Sequence, residues 1–197
     1  EKILEQAWAR FSACAGSLRY EYEAFCRDEK QWLDDYCLFR ALKTIYGRQA
    51  WNRWPGELRR GRVKAALPGG VEVATLAERE RFRQYLFFRQ WRTLRDYCNG
   101  LGVSVMGDLP CYVHHDSADV WANTSLFKLN ERGRPAFVAG VPPDYFSRTG
   151  QLWGNPVYDW DALKKSRYAW WVDRVRHNLK LFNLGRIDHC RGLVSYW

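Results

Sequence analysis

No two cysteines in this sequence are spaced C-x-x-C, and no apolar run approaches the ~20 residues that a membrane-spanning helix needs. The six cysteines, at 14, 26, 37, 98, 111 and 190, fall mostly inside helical or strand patterns, where a free thiol packs as a small apolar group. This usage excludes a disulfide framework and a zinc site, and it predicts a reducing, cytoplasmic setting. No signal-peptide pattern is visible. Nor does any glycine-rich loop open a helix after a strand, as a nucleotide-binding turn would require. Basic residues exceed acidic ones by 31 to 22, a formal charge of +9, so nucleic acid is worth weighing. Yet the charges are mixed, as in Arg79-Glu80-Arg81, and the densest group, Arg59-Arg60-Gly61-Arg62, is short. The pattern describes a solvated surface, with neither nucleic acid nor membrane as a partner, and it assigns no oligomeric state.

What is abundant is aromatic. Eleven Trp and eleven Tyr accompany a 47% hydrophobic content. Flat apolar faces with polar edges suit sugar rings or bases; a Trp-rich core is the alternative, and composition alone does not choose. Residues 1 to about 48 have helical spacing (Leu33, Tyr36, Cys37, Arg40, Leu42), and residues 49–70 read as an irregular connection marked by Trp54-Pro55 and Pro68-Gly69-Gly70. A helix is expected over about 73–98, with Phe87, Trp91, Leu94 and Cys98 as its core-facing stripe and Asn99-Gly100 as a left-handed cap. A short strand over 103–108 follows, ending on Asp108. The order repeats: Ser166 caps a helix with a Trp171, Val175, Leu179, Phe182 stripe, closed by Asn183 and Gly185, and a buried strand leads to Asp188.

Two successive helix–strand units, each with an acid at the strand's C-terminal end, predict parallel strands of an α/β fold. In a (β/α)₈ TIM barrel that end of the strands carries the active site, and two units of eight make a partial barrel. The expected organisation is a mainly helical inserted subdomain over 1–72 and part of a barrel over 73–197. Both ends of the chain look cut. Residues 109–158 lack periodicity and hold five of the seven prolines; their many aromatics predict an ordered loop over the barrel mouth.

Within Leu184–Gly192, strand alternation puts Arg186 and Asp188 on one face. A guanidinium beside a carboxylate favours its ionised form, as a nucleophile or a charge stabiliser requires; a structural ion pair closing the strand end is the alternative. Asp108 is either a ligand contact or a turn residue before Leu109-Pro110. Adjacent His114 and His115 point apart in extended chain with no second ligand cluster, so no metal site is expected. Pro142-Pro143 would stiffen a tip carrying Tyr145 and Phe146, and Gln151 with Trp153 sets a flat ring among amides, which suits a hydroxyl-rich ligand.

Four motifs in order, GDLPCYV (Gly107–Val113), DSADVW (Asp116–Trp121), AGVPPDYFSRTGQLWGNP (Ala139–Pro156) and RIDHCRG (Arg186–Gly192), resemble the 4-α-glucanotransferases, or amylomaltases, of glycoside hydrolase family 77. The likeness runs from about Trp32 to the end and includes QYLFFRQW (Gln84–Trp91). The resemblance implies Asp188 as catalytic nucleophile, Arg186 and His189 around the reacting sugar, Asp108 on sugar hydroxyls, Tyr145 and Phe146 over the acceptor side, and Trp153 with Gln151 along the glucan groove. It implies maltooligosaccharides and other α-1,4-glucans as substrates, no metal or organic cofactor, and an acid/base Glu and third carboxylate beyond Trp197. On that view the polypeptide alone is inactive. Cys190 departs from the Phe of many members, and His114-His115 from a smaller, more acidic pair.

Overall fold

The computed structural model describes residues 2–13, 16–59 and 70–194. In chain order the helices and strands are α1 (Lys2–Ser12), α2 (Ser17–Asp28), α3 (Lys30–Ile45), α4 (Gly56–Arg59), α5 (Gly70–Gly100), β1 (Met106–Asp108), α6 (Ala118–Ala122), β2 (Val138–Val141), β3 (Gln151–Pro156), α7 (Trp160–Lys165), α8 (Ala169–Leu181) and β4 (Leu184–Arg186). The class is mixed α/β and rich in helix. Cys14, Arg60–Arg62 of the basic group and Pro68-Gly69 lie outside the described residues. Among those that are described, no helix is long and apolar enough to cross a membrane.

The chain forms two compact units, residues 1–50 with 62–93 and residues 51–61 with 94–197. The first is helical and held by an aromatic core. Phe11 stacks on Phe82 with ring centres 4.5 Å apart, and Tyr22, Phe25, Tyr85 and Phe88 continue the cluster. Val73, Ala77, Phe82, Tyr85 and Phe88 form the buried face of α5 here. The expected stripe is therefore a different one: Phe87 and Leu94 are exposed, and Trp91 and Cys98 half-buried. This helix is apolar on two faces, and periodicity reveals each stripe without saying which one neighbouring helices cover. Arg81 ties the unit together with polar contacts, 2.9 Å to both Asp34 and Glu78. Burial pushes the Cys37 thiol up to about 12, so it stays a neutral packing group.

In the second unit, α5 ends two residues later than expected. Val103 N–H bonds to Cys98 O (2.9 Å) and Gly102 N–H to Asn99 O (3.0 Å), with Gly102 at φ 77°. That is a Schellman cap, in which a residue without Cβ occupies the left-handed position; Gly102, not Gly100, supplies it.

Strands β1 and β4 pair in parallel, as two helix–strand units require, with Met106 opposite Leu184, Gly107 opposite Gly185 and Asp108 opposite Arg186. Both strands are three residues long, and β4 is exposed throughout rather than buried. Among the described residues this sheet has two strands, too few to bury a strand on both faces.

Residues 159–181 also differ from expectation. Asp159 accepts a hydrogen bond from Ala162 N–H (2.9 Å) to cap α7, Ser166 closes that helix, and α8 starts after Tyr168 in a left-handed conformation. Val175 and Leu179 are exposed, and the buried member of α8 is Asn178.

The segment 109–158 is ordered and more regular than a loop. It holds α6, capped by Ser117, and the antiparallel β2–β3 hairpin, with a register shift between Val138 and Gly140. Three of the tryptophans, Trp51, Trp54 and Trp121, are core; the indoles of Trp51 and Trp121 donate to His115 O and Leu58 O, both at 2.7 Å. His115 Nε2 lies 2.7 Å from Gly133 O, and His114 Nδ1 accepts from Asp116 N–H. Both imidazoles are thus engaged in local packing.

Candidate active site

The parallel pairing of β1 with β4 brings Asp108 and Arg186, 78 positions apart, to the same level at the C-terminal ends of their strands. Arg186 grips Asp108 with two parallel bonds, Nε to Oδ1 at 2.7 Å and Nη2 to Oδ2 at 2.9 Å. A bidentate guanidinium–carboxylate contact fixes orientation as well as charge. The same Nη2 is 3.3 Å from Asp188 Oδ2. Asp188 Oδ1 also accepts its neighbour's backbone N–H, from His189, at 2.7 Å. One guanidinium therefore spans two carboxylates, all three groups being more than half exposed.

The hydrogen bonds from Arg186 hold the Asp108 carboxyl below the usual carboxylate range, and the same contacts raise Arg186. Asp108 thus remains an anion at neutral pH with its outward geometry set.

Strand–helix packing fixes the site from beneath. The Asn178 side chain donates to Asp108 O at 3.1 Å. Its Oδ1 also lies 2.8 Å from where a Cβ at residue 185 would sit, so Gly185 is what lets α8 approach β4. Sequence periodicity missed Asn178, because one polar residue among the many on α8 carries no signal that it is the buried one. An Asn178→Leu variant is expected to lose about 1 kcal/mol, the ordinary net contribution of the hydrogen bond to Asp108 O. Equilibrium denaturation of the full-length protein measures it; unchanged stability would mean that the amide bond contributes nothing.

The hairpin supplies the aromatic side. Trp153 is half-buried on β3, with its indole N–H donating to Gln151 Oε1 at 2.9 Å. Its ring meets the His189 ring edge-on at 5.0 Å and the Tyr112 ring at 5.1 Å. Gln151, Trp153, His189, Asp188, Arg186 and Asp108 therefore form one chain of contacts. Tyr145 and Phe146 stand apart from it at the hairpin tip, 97% and 86% exposed, meeting each other edge-on at 5.6 Å. Their tip is stiffened by Asp144 Oδ1, which accepts the N–H groups of Phe146 (2.9 Å) and Ser147 (2.8 Å).

Among the described residues no group of three or more His, Cys, Asp or Glu is placed to hold a metal ion. The cation between the two carboxylates is Arg186 itself. Such an arrangement can bind hydroxyl groups to Asp108 and present an oxygen of Asp188 to an electrophile, next to flat aromatic rings.

Charged residues at the C-terminal ends of parallel strands, with an aromatic hairpin from the intervening segment, define a mixed α/β chain of the kind that builds sites at strand ends. Residues 1–197 match the 4-alpha-glucanotransferase family, and the chain belongs to that family. A 4-alpha-glucanotransferase of Synechocystis sp. is 44% identical over 198 residues, which cover 100% of this chain and 39% of that protein. One from Thermus thermophilus is 46% identical over 195 residues, 98% of this chain and 39% of that protein. A solved amylomaltase from Streptococcus agalactiae, in complex with acarbose, superposes with a TM-score of 0.91 at 37% identity, over 100% of this chain and 40% of its own. The chain thus spans about two-fifths of the length of these relatives.

Proposed function

We propose that this chain is the nucleophile-bearing part of a 4-α-glucanotransferase acting on maltooligosaccharides and related α-1,4-glucans by a retaining double displacement. The observation that carries it is Arg186 bridging Asp108 and Asp188 at the ends of paired parallel strands. In the first step an Asp188 oxygen attacks the anomeric carbon, and the glycosidic C–O bond breaks. The departing sugar oxygen takes a proton from a carboxylic acid outside this chain. In the second, the 4-hydroxyl of another glucan attacks the same carbon, gives its proton back to that group, and releases Asp188. Both steps run on carboxyl groups and sugar hydroxyls alone.

Asp108 binds sugar hydroxyls, Arg186 and His189 surround the reacting ring, and Trp153 with Gln151 lines the groove. Tyr145 and Phe146 cover the acceptor side, where excluding water favours transfer over hydrolysis. The β1–β4 pair belongs in a (β/α)₈ barrel, with residues 1–72 as an inserted helical subdomain. A cytoplasmic setting goes with this reading, supported by free thiols at Cys26, Cys37, Cys98, Cys111 and Cys190.

The test is product analysis with the full-length protein and maltotriose. Glucose together with longer maltooligosaccharides is expected, at nearly constant reducing-end content. A steady rise in reducing ends without longer products would make it an α-glucan hydrolase instead.

A further inference from the structure

One residue of the Gly107–Val113 motif that has no role in the reaction stands between the two halves of the site. Tyr112 is half-buried, four positions after Asp108. Its ring meets Trp153 edge-on at 5.1 Å, and Trp153 in turn meets His189 at 5.0 Å. Its far end reaches the turn that follows Asp188. A Cβ built at Gly192 would collide with the Tyr112 hydroxyl, and Cζ would be only 2.6 Å away. Gly192 is itself buried, within the 3₁₀ turn Cys190–Leu193. The preceding residue holds the chain just before this turn: Cys111 Sγ donates to Asp188 O at 3.2 Å. Cys111 is buried and its thiol is raised chiefly by desolvation, so it stays a neutral donor.

Trp153, Tyr112 and the turn are thereby in contact in series, with Tyr112 in the middle. A tyrosine has only two side-chain torsions to restrict, so it sets its neighbours' separation at little entropic cost. We infer that Tyr112 is a positioning residue for glycosyl transfer, setting the distance between the substrate-facing Trp153 and the turn that presents Asp188. It acts through Trp153 and the 189–192 turn and makes no bond to the reacting atoms. The inference rests on the transferase reading above, and on Trp153 being part of the glucan groove.

A double-mutant cycle in the full-length protein tests it, with maltotriose as substrate. Tyr112→Phe keeps the ring and should stay within about twofold of the parent in kcat/KM. Tyr112→Leu removes the ring and should raise KM by about tenfold, with kcat within about threefold. The discriminating readout is the Trp153→Leu background. There Tyr112→Leu should add less than about twofold, because coupled neighbours are non-additive. A ring that merely stabilised the fold would add its full penalty in both backgrounds, and that result overturns the inference, as does a Tyr112→Leu enzyme with parental KM. Should Tyr112→Leu not yield folded protein, Gly192→Ala pushes on the same hydroxyl from the opposite side. It should give the same KM increase, and a parental KM there is equally fatal. A parent protein that does not disproportionate maltotriose at all would instead remove the transferase reading, which distinguishes the two failures.

Discussion

Asp188→Asn in the full-length protein is expected to lower maltotriose disproportionation by roughly 10⁴-fold, the scale on which losing a covalent-bond-forming group registers. The substitution is close to isosteric. An amide oxygen can still accept the His189 N–H that Asp188 Oδ1 accepts at 2.7 Å, so the turn should keep its shape. What disappears is the anionic oxygen that attacks the anomeric carbon. Melting temperature and glucan binding, the latter followed by Trp fluorescence, should therefore stay near those of the parent while turnover collapses. Turnover within tenfold of the parent would take the nucleophile's role away from Asp188.

Arg186→Lys should cost less, about 10²-fold in kcat, comparable to the loss of one positioned donor elsewhere. The charge is retained, so the loss reports geometry. Arg186 makes two parallel bonds to Asp108 and reaches Asp188 with a nitrogen it shares between them. An ammonium is a point charge without that fork, and it can serve one carboxylate well or two poorly. A second readout is the titration of Asp108, followed by carboxyl NMR. Its value is lowered by the bonds from Arg186, so the pair's contribution is present above the ordinary carboxylate range and is lost as pH falls through the lowered value. In the Lys variant that loss should move up towards the ordinary range. Parental kcat with an unmoved Asp108 titration would show that the fork is dispensable.

How much of this was legible beforehand depends on how far apart the partners lie in the chain. Arg186 and Asp188 are two positions apart, so they are expected on one face; β4 in fact ends at Arg186, with Asp188 two residues beyond it and still beside the guanidinium. Their 3.3 Å approach follows from local geometry. Parallel pairing was also legible, from two helix-then-strand orders ending in acids. The Asp108–Arg186 bond was not: each residue was visible as a candidate, but nothing local says that positions 78 apart meet in register. Asn178 and Tyr112 were missed for a related reason. Their roles exist only through glycines that let them close in, at Gly185 and Gly192, and a glycine in a sequence does not name the atom it makes room for.

The helix stripes are the converse case. Phe87 and Leu94 on α5, and Val175 and Leu179 on α8, have the period of a buried face and are exposed. Period is a property of one helix, whereas burial is a property of its neighbours.

The two helix-then-strand orders that end in β1 and β4, the nearness of Arg186 and Asp188 and the aromatic tip at Tyr145-Phe146 follow from the amino-acid sequence unaided, because each depends on backbone geometry over a few residues; the helix and hairpin within 109–158 do not. Tertiary structure alone decided that Asp108 meets Arg186, that Trp153 reaches His189, and which face of α5 is covered. Those contacts are set by how distant segments pack, and packing energy is shared among many side chains rather than written at any one position.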